Sequence, residues 1–197
     1  MNMGATVPKA TVEDLRRVAG DAKAELISGK VVLRSPTGGI PGRAGGRIYS
    51  SLDRYEQTTG RGYAFPDNVG FLVDLPNRQS FSPDAAFFIG AEPDIQFPVG
   101  APAFAAEVRS ENDYGLQAER AIAAKRADYF AAGTQVVWDV DLLSDEVIRC
   151  YRADAPDTPR IFHRGEIADA EPALPSWRFP VDDLFPPRSR PAKSGSV

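Results

Sequence analysis

Two acidic side chains interrupt apolar runs of this 197-residue chain. Asp84 follows Pro83 in "SFSPDAAFFIG", and Glu107 closes "AFAAE". A carboxylate in an otherwise buried strand is costly unless something pairs with it. Proline in such a run belongs at a strand start, an edge or a bulge. On neighbouring paired strands, Asp84 and Glu107 would stand a few ångströms apart. Two carboxylates that close repel and raise a pKa unless a cation lies between them. Carboxylate oxygens with water completing the shell suit Mg²⁺ or Mn²⁺. Such a cation polarises a phosphate and activates water. Arg109 shares a strand face with Glu107, so a plain Glu107–Arg109 salt bridge is the alternative that spacing leaves open.

The elements that position these residues are legible in outline. Thr11, with Asp14 three residues on, opens a short helix with a capping box. "KAELISGKVVLRSP" reads as a hairpin around Ser28-Gly29. "SPTGGIPGRAGG" reads as a glycine-rich loop leading into a helix with Ile48, Leu52 and Tyr55 on one face and Gly60 at its C-cap. "GYAFPDNVGFLVDLP" and "QSFSPDAAFFIG" are two strand runs around a Pro76-Asn77 turn. "NDYGLQAERAIAAKRADYFAAG" reads as a helix of about 18 residues stopped by Gly133. A hairpin follows, Val136–Val140 with Glu146–Arg152, then a short strand near Arg160–His163 and the segment "VDDLF". The expected fold class is α/β (α+β): one domain over residues 11–186, a mixed sheet flanked by helices. Its central strands are expected at Ser82–Ile89, Phe104–Arg109 and Val136–Val140. Residues 1–10 are expected to be flexible and the polar, proline-rich 187–197 disordered.

Composition narrows the chemistry. One cysteine, Cys150, and one histidine, His163, exclude an intrachain disulfide, a cysteine-rich zinc site and any site needing two histidines. A net charge of −4 and a pI near 5.1 argue against broad coating of nucleic acid, though a local basic groove is compatible with them. No apolar run approaches the roughly 18 residues of a membrane span, and the N-terminus has no apolar signal core. A cytoplasmic protein without a membrane partner is expected. The glycine-rich segment lacks the Walker lysine spacing and the G-x-G-x-x-G pattern, so no nucleotide cofactor is expected. Ser35 and Ser110 have no histidine nearby in sequence, which disfavours a serine hydrolase. Trp138, Trp177 and Cys150 read most simply as packing residues.

The ordered set "SPD", then "EVRS", resembles the PD-(D/E)XK nuclease pattern. More specifically, the chain resembles the Uma-two family of endonuclease-like proteins. The matching stretches are "TVEDL", "AELISGKVVLRSPTGG", "VGFLVDLPNRQSFSPDAAFF", "AFAAEVRSEND", "KRADYFAAGTQVVWDVD" and "LPSWRFPVDDLF", in order from Thr11 to Phe185. The resemblance implies a restriction-endonuclease-like core and a Mg²⁺- or Mn²⁺-dependent endonuclease acting on DNA as a homodimer. It implies Asp84 and Glu107 as metal ligands, the Val108 carbonyl as a third, and Glu25 close to the same metal. The sequence departs from the pattern at Arg109, where lysine is usual. Arginine stays protonated, so it can clamp a phosphate but not take a proton from water. Lys125, on one helical face with Ile122 and Tyr129, is the candidate for a lysine moved to the helix, with Tyr129 expected to position it. On that apolar face Lys125 either snorkels outward or points into the site. Arg43 and Arg47, placed at a helix start, are candidate DNA-backbone contacts; a solvated helix start is their blander reading. Many relatives carry a histidine in the glycine-rich loop, and none stands here. The alternative is a nuclease-fold module with weak or no catalysis, serving nucleic-acid binding or assembly.

Overall fold

The computed structural model describes residues 9–187. The expectations for a flexible 1–10 and a disordered 187–197 fall almost wholly outside them. The chain opens with helix α1 (Val12–Ala19), held by the Thr11/Asp14 capping box. Strands β1 (Ala24–Ile27) and β2 (Lys30–Leu33) form the expected hairpin. Ser28 and Gly29 have φ of 51° and 71°, the positive pair that a tight primed turn demands. Helix α2 (Gly39–Thr59) comes next, then β3 (Tyr63–Pro66), β4 (Phe71–Leu75), β5 (Arg78–Phe81), β6 (Ala85–Phe88) and β7 (Phe104–Val108). Helix α3 (Leu116–Ala131) leads to β8 (Val136–Val140), β9 (Ile148–Arg152), β10 (Ala155–Phe162), β11 (Ile167–Ala170) and β12 (Leu174–Pro180), and a 3-10 turn spans Val181–Leu184.

The strands form a six-stranded sheet in the order β10-β9-β8-β7-β6-β3, a four-stranded sheet β2-β1-β5-β4 and a two-stranded ribbon β11-β12. Only β7 and β8 in the larger sheet run parallel, and α3 is the crossover between them. This is the mixed α/β domain expected, and the three expected central strands are β6, β7 and β8, consecutive interior strands of the larger sheet. Alternation along β7 and β8 divides the two layers. Phe104, Ala106, Val108, Val136, Trp138 and Val140 face the main core, which holds Ala44, Ile48 and Leu52 of α2 and Trp177 and Phe179 of β12. Ala105 and Val137 face the other way, against Phe81 and Tyr129 of α3. Glu107 lies on that second face by the same alternation.

Three expectations need correction. The glycine-rich stretch is not a loop beyond Gly38: α2 begins at Gly39 and runs through it. Close packing accounts for Gly45, since a Cβ there would stand 3.3 Å from the Asp84 carbonyl oxygen and 3.4 Å from its Cβ. The two long strand runs each split in two. Asn68, with φ of 67°, separates β3 from β4. Ser82-Pro83-Asp84 separates β5 in the small sheet from β6 in the large one, so the proline marks a change of sheet and interrupts no ladder. The hairpin β11-β12 was not expected between the short strand near Arg160–His163 and "VDDLF"; its Leu174, Trp177 and Phe179 cover the main core.

Candidate active site

β6 and β7 are antiparallel, with Ala85 opposite Ala106. One further step of that register sets Asp84 opposite Glu107, and the Asp84 N–H donates to the Ala106 carbonyl at 3.0 Å. Asp84 Oδ2 accepts the Val108 N–H at 2.7 Å. The sheet switch thus presents one carboxylate directly beside the residue carrying the other.

Helix α3 completes the group from the second face. Lys125 and Tyr129, one turn apart, both reach Glu107 Oε1: the lysine Nζ at 2.7 Å and the tyrosine hydroxyl, as donor, at 2.6 Å. Lys125 therefore points into the site. Tyr129 anchors Glu107 through this bond; its ring stacks on Phe81 at 3.9 Å between centroids. Burial and the Glu107 charge hold its phenol well above the ordinary value, which keeps it a donor. Lys125 Nζ also lies 3.0 Å from Glu25 Oε1. Glu25, fully buried on β1, accepts the Ser82 N–H at 3.0 Å and pairs through Oε2 with Arg34 at 2.5 Å and Arg78 at 3.3 Å. Arg78 in turn bonds Asp128 at 2.8 Å.

A second ammonium enters from the strand approach to β1. Lys23 Nζ bridges Asp84 Oδ1 at 2.7 Å and Asp67 Oδ1 at 2.6 Å. Burial alone would lower its pKa; Asp84 and Glu107 outweigh that and hold it above the ordinary lysine range.

The sequence profile of the Uma2 family, described as "Putative restriction endonuclease", matches residues 12–182. The chain belongs to the Uma2 family. It is also similar to a solved structure described as a putative nuclease belonging to DUF820 from Anabaena variabilis, at 18% identity and a TM-score of 0.65, over 82% of this chain and 89% of that one. That likeness carries the fold. No curated protein matches the chain.

In this Uma2 chain the residue after the "EV" of β7 does not join the carboxylate pair. Arg109 is committed to Asp139 on β8, with Nε and Nη2 donating to its two oxygens at 2.7 Å each, and to Glu119 of α3. No Glu107–Arg109 ion pair forms among the described residues; Glu107 pairs with Lys125. Arg43 and Arg47 lie one turn apart within α2, not at a helix start, with Arg47 exposed and Arg43 half-buried. Lys23, Asp67, Arg34 and Arg78 were missed by sequence reasoning. Lys23 alone left a signal, since it stands two residues before Glu25 and shares its face in an extended chain. Arg34 and Arg78 reach Glu25 inside the small sheet, Arg34 from the end of the β1-β2 hairpin and Arg78 from β5, so no local residue spacing marks either of them.

Among the described residues no three His, Cys, Asp or Glu side chains converge to hold a metal by themselves. Glu25 is saturated by three cations and a backbone donor. The oxygen donors of Asp84, Glu107 and the Val108 carbonyl fit Mg²⁺ or Mn²⁺, which take one or two carboxylates and keep several waters. The electrostatics agree: burial first, with Asp84 and Glu25 adding to it, raises Glu107 above the ordinary 4.5 against the pull of Lys125. That repulsion is what a divalent cation would relieve.

Glu25 gives a pH signature. Burial would raise it, but Lys125, Arg34 and Arg78 prevail and hold it well below the ordinary 4.5. A carboxyl lowered on folding stabilises the fold above its unfolded value, and that stability is lost as the pH falls below it. Glu107, raised on folding, has the opposite sign and costs stability as the pH rises through its folded value. In thermal unfolding between about pH 6 and pH 3, wild type should lose Tm steeply, and Glu25→Gln should show a flatter acid limb. An acid limb equally steep in the variant would remove Glu25 as its source.

Proposed function

We propose that this Uma2 chain is a metal-dependent endonuclease that hydrolyses phosphodiester bonds of DNA. The observation that carries the reading is the convergence of Asp84 and Glu107 from adjacent strands with Lys125 from α3 at 2.7 Å from Glu107. Asp84, Glu107 and the Val108 carbonyl would hold the cation. A bound Mg²⁺ or Mn²⁺ supplies charge neutralisation at the phosphate and a more acidic water. Lys125 places a second positive charge at the same point, where it stabilises the negative charge that grows on the phosphoryl oxygens. Glu25 fixes Lys125, and Tyr129 fixes Glu107, so neither group has to reorganise during the reaction. Phosphorus gains the water oxygen and loses one ester oxygen; the water gives up a proton to solvent, the departing oxygen takes one from solvent, and the strand is cut. Arg47 and Arg43 are the α2 groups that would meet neighbouring backbone phosphates.

The family match supports a nuclease, and the acidic site supports the metal. Purified protein incubated with duplex and single-stranded DNA should cut with Mg²⁺ or Mn²⁺ and stop cutting when EDTA is added. Cleavage that persists in EDTA would overturn the metal requirement. No cleavage of either substrate with either ion would overturn the enzyme and favour the binding module.

A further inference from the structure

We propose that Lys23 is a built-in competitor for the cation: its ammonium occupies the open oxygen of Asp84 and must withdraw toward Asp67 before a divalent ion binds, so that Lys23 sets the metal affinity. The inference rests on the reading that Asp84 and Glu107 hold that ion.

The two oxygens of Asp84 have different neighbours. Oδ2 is tied to the Val108 N–H at 2.7 Å, a backbone donor fixed by the sheet. Oδ1 is the oxygen that an incoming cation can take, and Lys23 Nζ sits on it at 2.7 Å. Two cations on one carboxylate oxygen repel strongly where water is scarce, and the Lys23 and Asp84 side chains are each only 19% exposed.

Lys23 also has somewhere to go. Asp67 Oδ1, in the turn after β3, already holds the ammonium at 2.6 Å. The Asn68 N–H donates to the same oxygen at 2.7 Å and keeps the carboxylate in place. A flexible four-carbon stem lets the ammonium swing while keeping that partner. Lys125 does not compete in this way. It contacts Glu107 through Oε1, the oxygen that Tyr129 also bonds, and it is anchored at its other side by Glu25. The two lysines therefore divide the work: Lys125 stays and Lys23 moves.

The test is isothermal titration of the full chain with Mn²⁺, comparing wild type, Lys23→Met and Asp84→Asn. Lys23→Met should bind about tenfold tighter or more, while Asp84→Asn loses binding. A Lys23→Met affinity equal to wild type, with Asp84→Asn still inactive in binding, overturns the competitor and leaves the metal reading standing. Weaker binding in Lys23→Met also overturns it, because a merely structural lysine would act in that direction. Absence of binding in both wild type and Lys23→Met overturns the competitor together with the metal reading. Should Lys23→Met fail to fold, Lys23→Gln keeps a donor toward Asp84 without the charge and carries the same expectations.

Discussion

Lys125→Met is expected to lower metal-dependent DNA cleavage by about 10²–10³-fold while Mn²⁺ binds at least as tightly as in wild type. Methionine keeps the length and apolar stem of lysine and removes the charge. Lys125 is the α3 ammonium that contacts Glu107, and its side chain is only 14% exposed. A positive charge held there, short of water, acts on developing phosphoryl charge far more strongly than a solvated one would. Its removal makes the carboxylate site more negative, so a divalent cation should not bind less well. Folding is buffered: Glu25 keeps Arg34, Arg78 and the Ser82 N–H, and Glu107 keeps the Tyr129 hydroxyl. Titration, cleavage assays and thermal unfolding on one preparation separate these effects. Cleavage within a few-fold of wild type would remove Lys125 from the chemistry. Loss of Mn²⁺ binding alongside cleavage would instead make it a support of the carboxylates.

What the sequence discloses about this site follows from distance along the chain. Asp84 and Glu107 stood out because each breaks an apolar run, and strand alternation with one register step brings them together. Lys125 and Tyr129 stood out because helical spacing places both on one face. Tyr129 adds a contact that spacing does not show: its hydroxyl reaches across to Glu107 on β7, while its ring lies under the Lys125 ammonium at 5.9 Å. The glycine-rich segment misled, since glycine lowers helix propensity by roughly 1 kcal/mol per residue; tertiary packing of α2 against Asp84 overrides that preference. Arg34 and Arg78 meet Glu25 across strands of the small sheet, Asp67 follows β3 beside β6 in the large one, and Lys23 reaches Asp84 and Asp67 only where the two sheets come together. No local period encodes that contact. The ribbon of β11 and β12 is hidden in another way, since the prolines of β12 mask a strand that covers the core.

Arg109→Met is expected to destabilise the fold by about 3–5 kcal/mol, the effect of a structural residue rather than a catalytic one. The sequence puts Arg109 where a nuclease lysine usually stands, two residues past Glu107. In the structure its guanidinium forms a two-point fork on Asp139, and each of these two side chains is 4% exposed. Removing the arginine leaves the Asp139 carboxylate buried without its counter-ion, the costly way to break such a pair. Arg109→Lys should fail almost as badly, because an ammonium cannot reproduce the planar fork. The double variant Arg109→Met/Asp139→Leu should recover most of the loss, since an apolar pair of similar volume carries no stranded charge. Urea unfolding measures all three. The fraction of Arg109→Met that remains folded should still cut DNA, in contrast to Lys125→Met. A stable Arg109→Met protein that no longer cuts would reverse the two assignments and return the chemistry to β7.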